Sequence, residues 1–300
     1  MSVTNTVLTA NTLSDSDIET HPLFGPLDRR PARYRGPHRL SHHGWLNFAD
    51  RLERREEIAA IRAAVATSRR VLDVGGGTGE LTRAVAAQVD RCVTVEPHAR
   101  RVEMLHASGD ATADAPGTPH SAGIEVFPGH AEALPFPDAA FDAVMACWVL
   151  PYVEDPDRAI REMARVCDAG RSGSRVVLIG GAPDNNLVSM LNEACVPLAG
   201  EPHDHQGHLL ATAARTLRDL GFTDVVVHRT EAALHFPETD LEERITAAAA
   251  LMTDFWYEDH PRSADMREAL RPVLRRHFAD RPHAVGDQGV VLVASTGHRS

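Results

Sequence analysis

Val71-Leu72-Asp73-Val74-Gly75-Gly76-Gly77-Thr78-Gly79 is the stretch of this chain whose residue types point most directly to chemistry. An apolar run with the pattern of a strand enters a glycine cluster, and a helical pattern follows. Glycines let the backbone bend sharply and let a ligand come close to the main chain. The dinucleotide spacing G-x-G-x-x-G is not met: with Gly75 and Gly77 in place, the third glycine position holds Glu80. A carboxylate there opposes a pyrophosphate, so the loop suits a ligand without phosphates that carries a positive charge. Asp73, at the strand end, is placed to accept hydrogen bonds from an ammonium. Glu96 ends the next apolar run about 20 residues on, where an acidic side chain grips ribose hydroxyls.

Other chemistries are removed by composition. All 31 Lys and Arg residues are arginine. Without lysine there is no Schiff base, no ordinary phosphate-binding P-loop and no standard protein kinase. The four cysteines, Cys92, Cys147, Cys167 and Cys195, form no C-x-x-C, which argues against a thiolate zinc site or redox pair. A net charge of −11 over 300 residues argues against nucleic acid and against anionic membranes as partners. Met1 to Ser14 lacks the basic and apolar regions of a secretory signal, and no apolar run approaches the roughly 20 residues that span a bilayer. A cytoplasmic protein with reduced thiols is expected.

The elements that position these residues alternate. Strand patterns are expected at Arg70 to Val74, Arg91 to Glu96, Gly123 to Phe127, Ala140 to Cys147 and Arg175 to Gly180. Helices are expected at about 80–89, 99–107 and 157–166. Such alternation of apolar strands with helices predicts a doubly wound α/β fold with a mostly parallel sheet. Ligands then bind beyond the carboxyl ends of the strands. Residues 1–20, polar and aperiodic, read as a flexible arm. Residues 21–66 read as an N-terminal cap, with one helix from about Trp45 to Val65. Residues 67–300 read as the main domain. Helices are expected at Leu187 to Leu198 and Leu209 to Leu220, strands at Phe222 to His228 and Gly289 to Ser295. A helical insert at about 240–279 is a natural lid. The segment Gly109 to Gly123 reads as a loose surface loop.

At this point the residues resemble a known family. Asp73-x-Gly75-x-Gly77-x-Gly79 followed by Glu96 resembles the first two motifs of class I S-adenosylmethionine-dependent methyltransferases. Gly129-His130-Ala131-Glu132-Ala133-Leu134-Pro135-Phe136 resembles the motif after the third strand. Phe141-Asp142-Ala143-Val144 and Trp148 to Pro156 resemble the fourth-strand motif and the turn beyond it. The branch is that of ubiquinone/menaquinone-type and natural-product methyltransferases acting on small molecules. The resemblance implies a Rossmann-like seven-stranded sheet with its last strand antiparallel. It implies S-adenosyl-L-methionine as cofactor and S-adenosyl-L-homocysteine as product. It places Asp73, Gly75, Gly77 and Gly79 at the methionine end, Glu96 at the ribose, and Pro97, His98, His130 and Ala131 by the adenine. Cys147 and Trp148 then border the methyl group. His130 replaces the family's usual aspartate, and Pro151 its usual histidine after the fourth strand.

Histidine is the natural base near neutral pH. His42 and His43, just before the first helix of the cap, and His205, in His203-Asp204-His205-Gln206-Gly207-His208, are the candidates. H-x-H-x-x-H is not a dependable zinc spacing, so no metal is assigned, although whether this cluster binds one stays open. Trp45, Trp148, Trp256 and the Asp254 to Glu258 cluster are candidates for an aromatic substrate wall. The expected activity is methyl transfer to a small-molecule acceptor, with oxygen favoured by family frequency. The alternative is a non-methylating scaffold that keeps the pocket for structure or for another reaction. A metal-assisted catechol-type enzyme is a further rival. The oligomeric state is open, a homodimer included.

Overall fold

In chain order the helices are α1 (Asp15–Thr20), α2 (His42–Arg51), α3 (Arg55–Ala64), α4 (Glu80–Ala86), α5 (Ala99–Asp110) and α6 (Pro156–Val166). They continue with α7 (Asn186–Ala194), α8 (Val196–Ala199), α9 (Gly207–Asp219), α10 (Leu241–Tyr257) and α11 (Ser263–Asp280). The strands are β1 (Leu52–Glu53), β2 (Arg70–Val74), β3 (Arg91–Glu96), β4 (Ile124–Pro128) and β5 (Ala143–Cys147). After them come β6 (Arg175–Gly181), β7 (Asp224–Thr230), β8 (Ala233–His235), β9 (Ala284–Gly286) and β10 (Gly289–Ser295). The structure is a computed structural model that describes residues 12–25, 34, 37–38, 40–110, 123–201, 203 and 207–297.

Seven strands form one sheet in the order β4-β3-β2-β5-β6-β10-β7. β2, β3, β4, β5 and β6 pair in parallel, and β10 runs antiparallel between β6 and β7. This is the doubly wound, mostly parallel α/β sheet expected, with one reversed strand. Val71, Leu72, Val93, Val144, Val177 and Leu178 are all buried, as strands covered on both faces require. The order reverses direction at β2, so the crevice above β2 and β5 is the topological switch point. Asp142 ties the opposite end of the sheet: its Oδ1 accepts from Arg69 N–H at 3.0 Å and Arg70 N–H at 2.9 Å.

A second layer covers the carboxyl ends of the strands. β1, β8 and β9 form a small antiparallel sheet that joins the N-terminal cap to the later insertion. Beside it α2, α7, α10 and α11 share a core of their own, built around Phe48, Leu191, Ile245, Met252, Phe255 and Leu270. Asp240 caps α10, accepting from Glu242 N–H and Glu243 N–H at 2.9 Å each.

Several expectations are corrected. The single helix from Trp45 to Val65 is two helices broken by β1, because Leu52 and Glu53 are drawn out to pair with Leu234 and Ala233. His42 and His43 are the first residues of α2 rather than its preceding loop, since Ser41 is the N-cap and accepts from Gly44 N–H. The part of the expected arm from Thr12 to Thr20 is docked: Leu13 N–H bonds to Val225 O at 2.8 Å, and Ile18 is 0% exposed. Residues 1–11 lie outside the described residues, as do 111–122 of the expected loop, whose start continues α5. The helix expected over Leu187 to Leu198 divides into α7 and α8 at Cys195. The insertion is a helix pair, α10 and α11, flanked by β8 and β9.

α2 seats on α10 through a bare backbone contact. A Cβ on Gly44 would lie 2.6 Å from the Asp254 carbonyl oxygen, so only glycine permits this approach. Gly44→Ala is expected to cost about 1–3 kcal/mol, the scale of overpacking. Gly123→Ala, where an added methyl meets nothing within 4 Å, is the matched control. Urea midpoints of the two variants check this.

Candidate functional site

A cavity of about 400 Å³ lies over the switch point. Its floor is the loop after β2. Gly75, Gly77 and Gly79 hold φ of +78°, +58° and +80°, a region L side chains avoid. A Cβ on Gly77 would sit 3.2 Å from Trp45 Cζ2, so the indole from α2 lies directly on the loop. The Arg101 guanidinium stands 5.6 Å from the Trp45 ring centre. Trp45 Nε1 is buried and has no hydrogen-bond partner among the described residues.

Two carboxylates flank this loop. Asp73 is 2% exposed, and its Oδ2 accepts from Thr82 Oγ1 at 2.5 Å. Burial pushes its pKa up to about 6; the Thr82 bond and Arg54 oppose the shift, and the Glu96 charge adds to it. Glu96 is 1% exposed; it accepts from Gly77 N–H and from His98 N–H at 3.1 Å each, with Arg101 Nη1 at 3.6 Å. One acidic side chain thus pins the loop and the turn after β3 together. Oε2, which accepts from Gly77 N–H, has a second lone pair for a ligand.

The structure brings Asp73, Gly75, Gly77, Glu96, Pro97, His98, His130, Ala131, Cys147 and Trp148 to one cavity. Gly79 shapes the loop as the left-handed N-cap of α4 and is not part of the cavity wall. His130 is exposed at the rim and Ala131 is buried. Burial holds the Cys147 thiol well above its ordinary pKa, so it stays protonated. Trp148 has φ +58°, rare for a bulky residue. Its backbone N–H bonds to Ile179 O at 2.8 Å and its Nε1 donates to Glu57 Oε1 at 3.0 Å. The surroundings thus hold a strained backbone, as at many functional sites.

The histidine candidates fare differently. His43 is exposed, its Nε2 within 3.1 Å of Asn47 Nδ2, and it does not line the cavity. His42 lies on the same helical turn. His205 is outside the described residues, His203 is exposed, and His208 is half-buried on α9. No cluster of three potential metal ligands occurs among the described residues. His38 also lines the cavity, stacked on Trp256 at 4.3 Å with an interplanar angle of 5°.

Sequence reasoning missed four groups. Arg54 and Glu57 form a buried pair, Nε to Oε2 at 3.0 Å, in a segment whose charges look like an ordinary helix surface. Tyr152, whose hydroxyl accepts from Trp256 Nε1 at 3.2 Å, looked like a turn residue. Asp287 precedes β10 and lines the cavity at 6% exposure. A usable signal existed for Asp287: a reversed strand enters the sheet from the ligand side, so the residues just before it arrive at the cavity.

The fold and the acidic switch-point loop define a Rossmann-like nucleoside-binding protein. Residues 72–172 match the family model described as a methyltransferase domain. The ubiquinone/menaquinone biosynthesis C-methyltransferase UbiE of Pseudomonas syringae pv. tomato is 32% identical over 220 residues, covering 67% of this chain and 78% of the relative. Its counterpart from Hahella chejuensis is 35% identical over 145 residues, and the chain spans only 55% of that relative's length. The YcgJ protein of Bacillus subtilis superposes with a TM-score of 0.53 at 16% identity, covering 81% of this chain and 100% of that one. A methyltransferase assigned to an antibiotic biosynthesis pathway of Anabaena variabilis gives 0.52 at 18%, covering 82% and 98%; both share the fold. The chain belongs to the S-adenosylmethionine-dependent methyltransferases.

The residues present fit that cofactor. Asp73, Glu96, Glu57 and Asp287 outnumber Arg54 and Arg101 in and just behind the cavity wall, a buried acidic excess suited to a sulfonium. The bare backbone of the loop and the unpartnered Trp45 Nε1 add room and a donor. A bound cation favours ionised Asp73, so affinity for S-adenosylmethionine is expected to rise with pH and level off above about 6. The dissociation constant at pH 5 should be about tenfold weaker than at pH 7.5. Asp73→Asn should flatten this profile, read by calorimetry. Glu96→Ala should weaken cofactor binding by roughly 1.5–3 kcal/mol, the scale of a lost charge-assisted hydrogen bond.

Proposed function

We propose that the chain transfers a methyl group from S-adenosylmethionine to the oxygen of a flat, largely apolar small molecule. The observation that carries this reading is the division of one cavity into two unlike halves. The half above β2, β3 and β4 is acidic and glycine-lined. The half beneath the cap is walled by Phe48, Phe255, Trp256, Leu187 and Val188. Phe48 and Phe255 stack at 4.1 Å, and Trp256 continues the wall to His38. Such a slot accepts a planar ring and keeps out water.

In this reading Asp73 and the loop at Gly75, Gly77 and Gly79 hold the methionine end, and Glu96 holds the ribose hydroxyls. Pro97, His98, His130 and Ala131 surround the adenine, while Cys147 and Trp148 border the methyl group. When bound, S-adenosylmethionine supplies a methyl group already activated by the sulfonium charge. The chain's part is then alignment and exclusion of water. Trp45 closes the loop from above. The segment around α2 and the α10–α11 pair together act as the lid, stitched by β1, β8 and β9.

A second reading, methylation at carbon, is favoured by the relatives, which are C-methyltransferases. Incubation with methyl-labelled cofactor and 1,4-dihydroxynaphthalene, followed by NMR of the product, separates the two as methoxy or ring-methyl signals. Cofactor binding with no methylated product from this or a panel of hydroxylated aromatics favours the scaffold alternative. Phe255→Ala or Trp256→Ala is expected to raise the acceptor KM about tenfold, the scale of one lost aromatic contact, with the cofactor dissociation constant within about twofold.

A further inference from the structure

We propose that Asp287 is the base that takes a proton from the acceptor's hydroxyl. The carboxylate lines the cavity, where Asn185 holds it and Tyr152 also lines the wall. This inference rests on the methyl-transfer reading and supplies the proton acceptor that the exposed His43 does not.

The placement follows from topology. β10 is antiparallel, and Gly289 at its start pairs with Gly181 at the end of β6. Asp287, two residues earlier, therefore stands above the β6–β10 half of the sheet. Asp73 and Glu96 stand above β2 and β3. Of the other carboxylates lining the cavity, Glu80 opens α4 beside the loop, and Glu132 and Glu154 meet at the rim, where Glu132 Oε1 accepts from Glu154 N–H at 2.7 Å.

Asp287 is built in firmly. Its N–H bonds to Ala232 O at 2.8 Å, and its Oδ1 accepts from Asn185 Nδ2 at 2.7 Å. Asn185 is fixed in turn: it caps α7 by accepting from Val188 N–H at 3.0 Å, and it donates to Gln288 O at 3.0 Å. The amide can only donate to Asp287 through its nitrogen, so Oδ1 is oriented, and the residue itself lines the cavity. The groups around it are named by their effects. Glu57 repels its charge, Arg54 attracts it, and Tyr152 presents a hydroxyl that burial keeps protonated. Burial, relieved in part by Asn185, brings the Asp287 pKa to about 7, where a carboxylate both binds and releases a proton.

The step balances. The acceptor oxygen passes its proton to Asp287 and bonds to the methyl carbon. The carbon–sulfur bond breaks with its electron pair on sulfur, so the sulfonium becomes a neutral thioether. The proton then leaves Asp287 for water. Charge is conserved at the site: one cation and one carboxylate become two neutral groups.

The test uses the full chain loaded with S-adenosylhomocysteine and two probes, 1-naphthol and 1-methoxynaphthalene, which differ in the hydroxyl proton. Wild type should bind 1-naphthol about tenfold more tightly at pH 8, the worth of one hydrogen bond to a charged acceptor. That preference should fade as the pH falls through about 7, while 1-naphthol itself stays neutral. Asp287→Asn should lose the preference at all pH values. The wild-type pH series stands even if the variant does not fold. A preference that survives in Asp287→Asn, one that does not depend on pH, or failure of both rings to bind overturns the proposal. Failure of wild type to bind S-adenosylhomocysteine overturns instead the methyl-transfer reading on which it rests.

Discussion

The site depends on negative charge held out of water. Asp73, Glu57, Glu96 and Asp287 are all nearly or wholly buried, and two guanidinium groups stand among them. Ionising Asp73 in this fold costs about 3 kcal/mol relative to an unfolded chain, taking its pKa as raised from 3.8 to about 6. Because the folded value is the higher one, that cost is absent below about pH 4 and complete above about pH 6. Such a cost persists in a stable protein only where the rest of the fold over-determines the position. Here β2 fixes Asp73 through its pairing with Thr94 on β3 and Met145 on β5. The acidic wall is thus bought by the sheet, and a cationic ligand lowers the expense by screening it.

The cap answers a second constraint. A cavity at the carboxyl ends of parallel strands is open to solvent unless another layer covers it. Three separate parts of the chain supply that layer: α2, α7 and the α10–α11 pair. None can bury its apolar face alone, and together they make a core distinct from the two that flank the sheet. The three-stranded β1-β8-β9 sheet joins the first and last of them. The close seat of Gly44 on the Asp254 carbonyl draws α2 onto α10, which brings Trp45 over the loop and Phe48 against Phe255. The cap and the loop are therefore both contacted by one helix, α2.

What was legible in the sequence was local. Strand ends at Val74, Glu96 and Cys147 follow from apolar runs and the residues that stop them, and they place Asp73 and Glu96 without tertiary information. The seven-strand count and the reversed last strand came from the resemblance in four successive motifs. What was not legible was long-range. Nothing within Leu52-Glu53 announces a strand, because its partner lies some 180 residues away in sequence. Arg54 and Glu57 carry the spacing of a solvated helical pair and become buried only when Trp148 donates to Glu57. Histidines near the start of the cap attracted a catalytic reading by residue type, but α2 begins one turn earlier than expected and turns His43 outward.

The two halves of the cavity draw on different parts of the chain. The loop, Glu96, His130 and Ala131 fall within residues 72–172, the span that matches the methyltransferase domain model. Phe48, Leu187, Phe255, Trp256 and Asp287 fall outside it. This division has a physical reason. A donor of fixed chemistry demands fixed contacts, and these sit on the rigid ends of central strands. An acceptor that differs between pathways demands a replaceable surface, and helices inserted between edge elements provide one without disturbing the sheet. Asp287 joins the two, since it belongs to the replaceable part yet is delivered by β10, a member of the sheet. A base carried there keeps its register to the methyl donor.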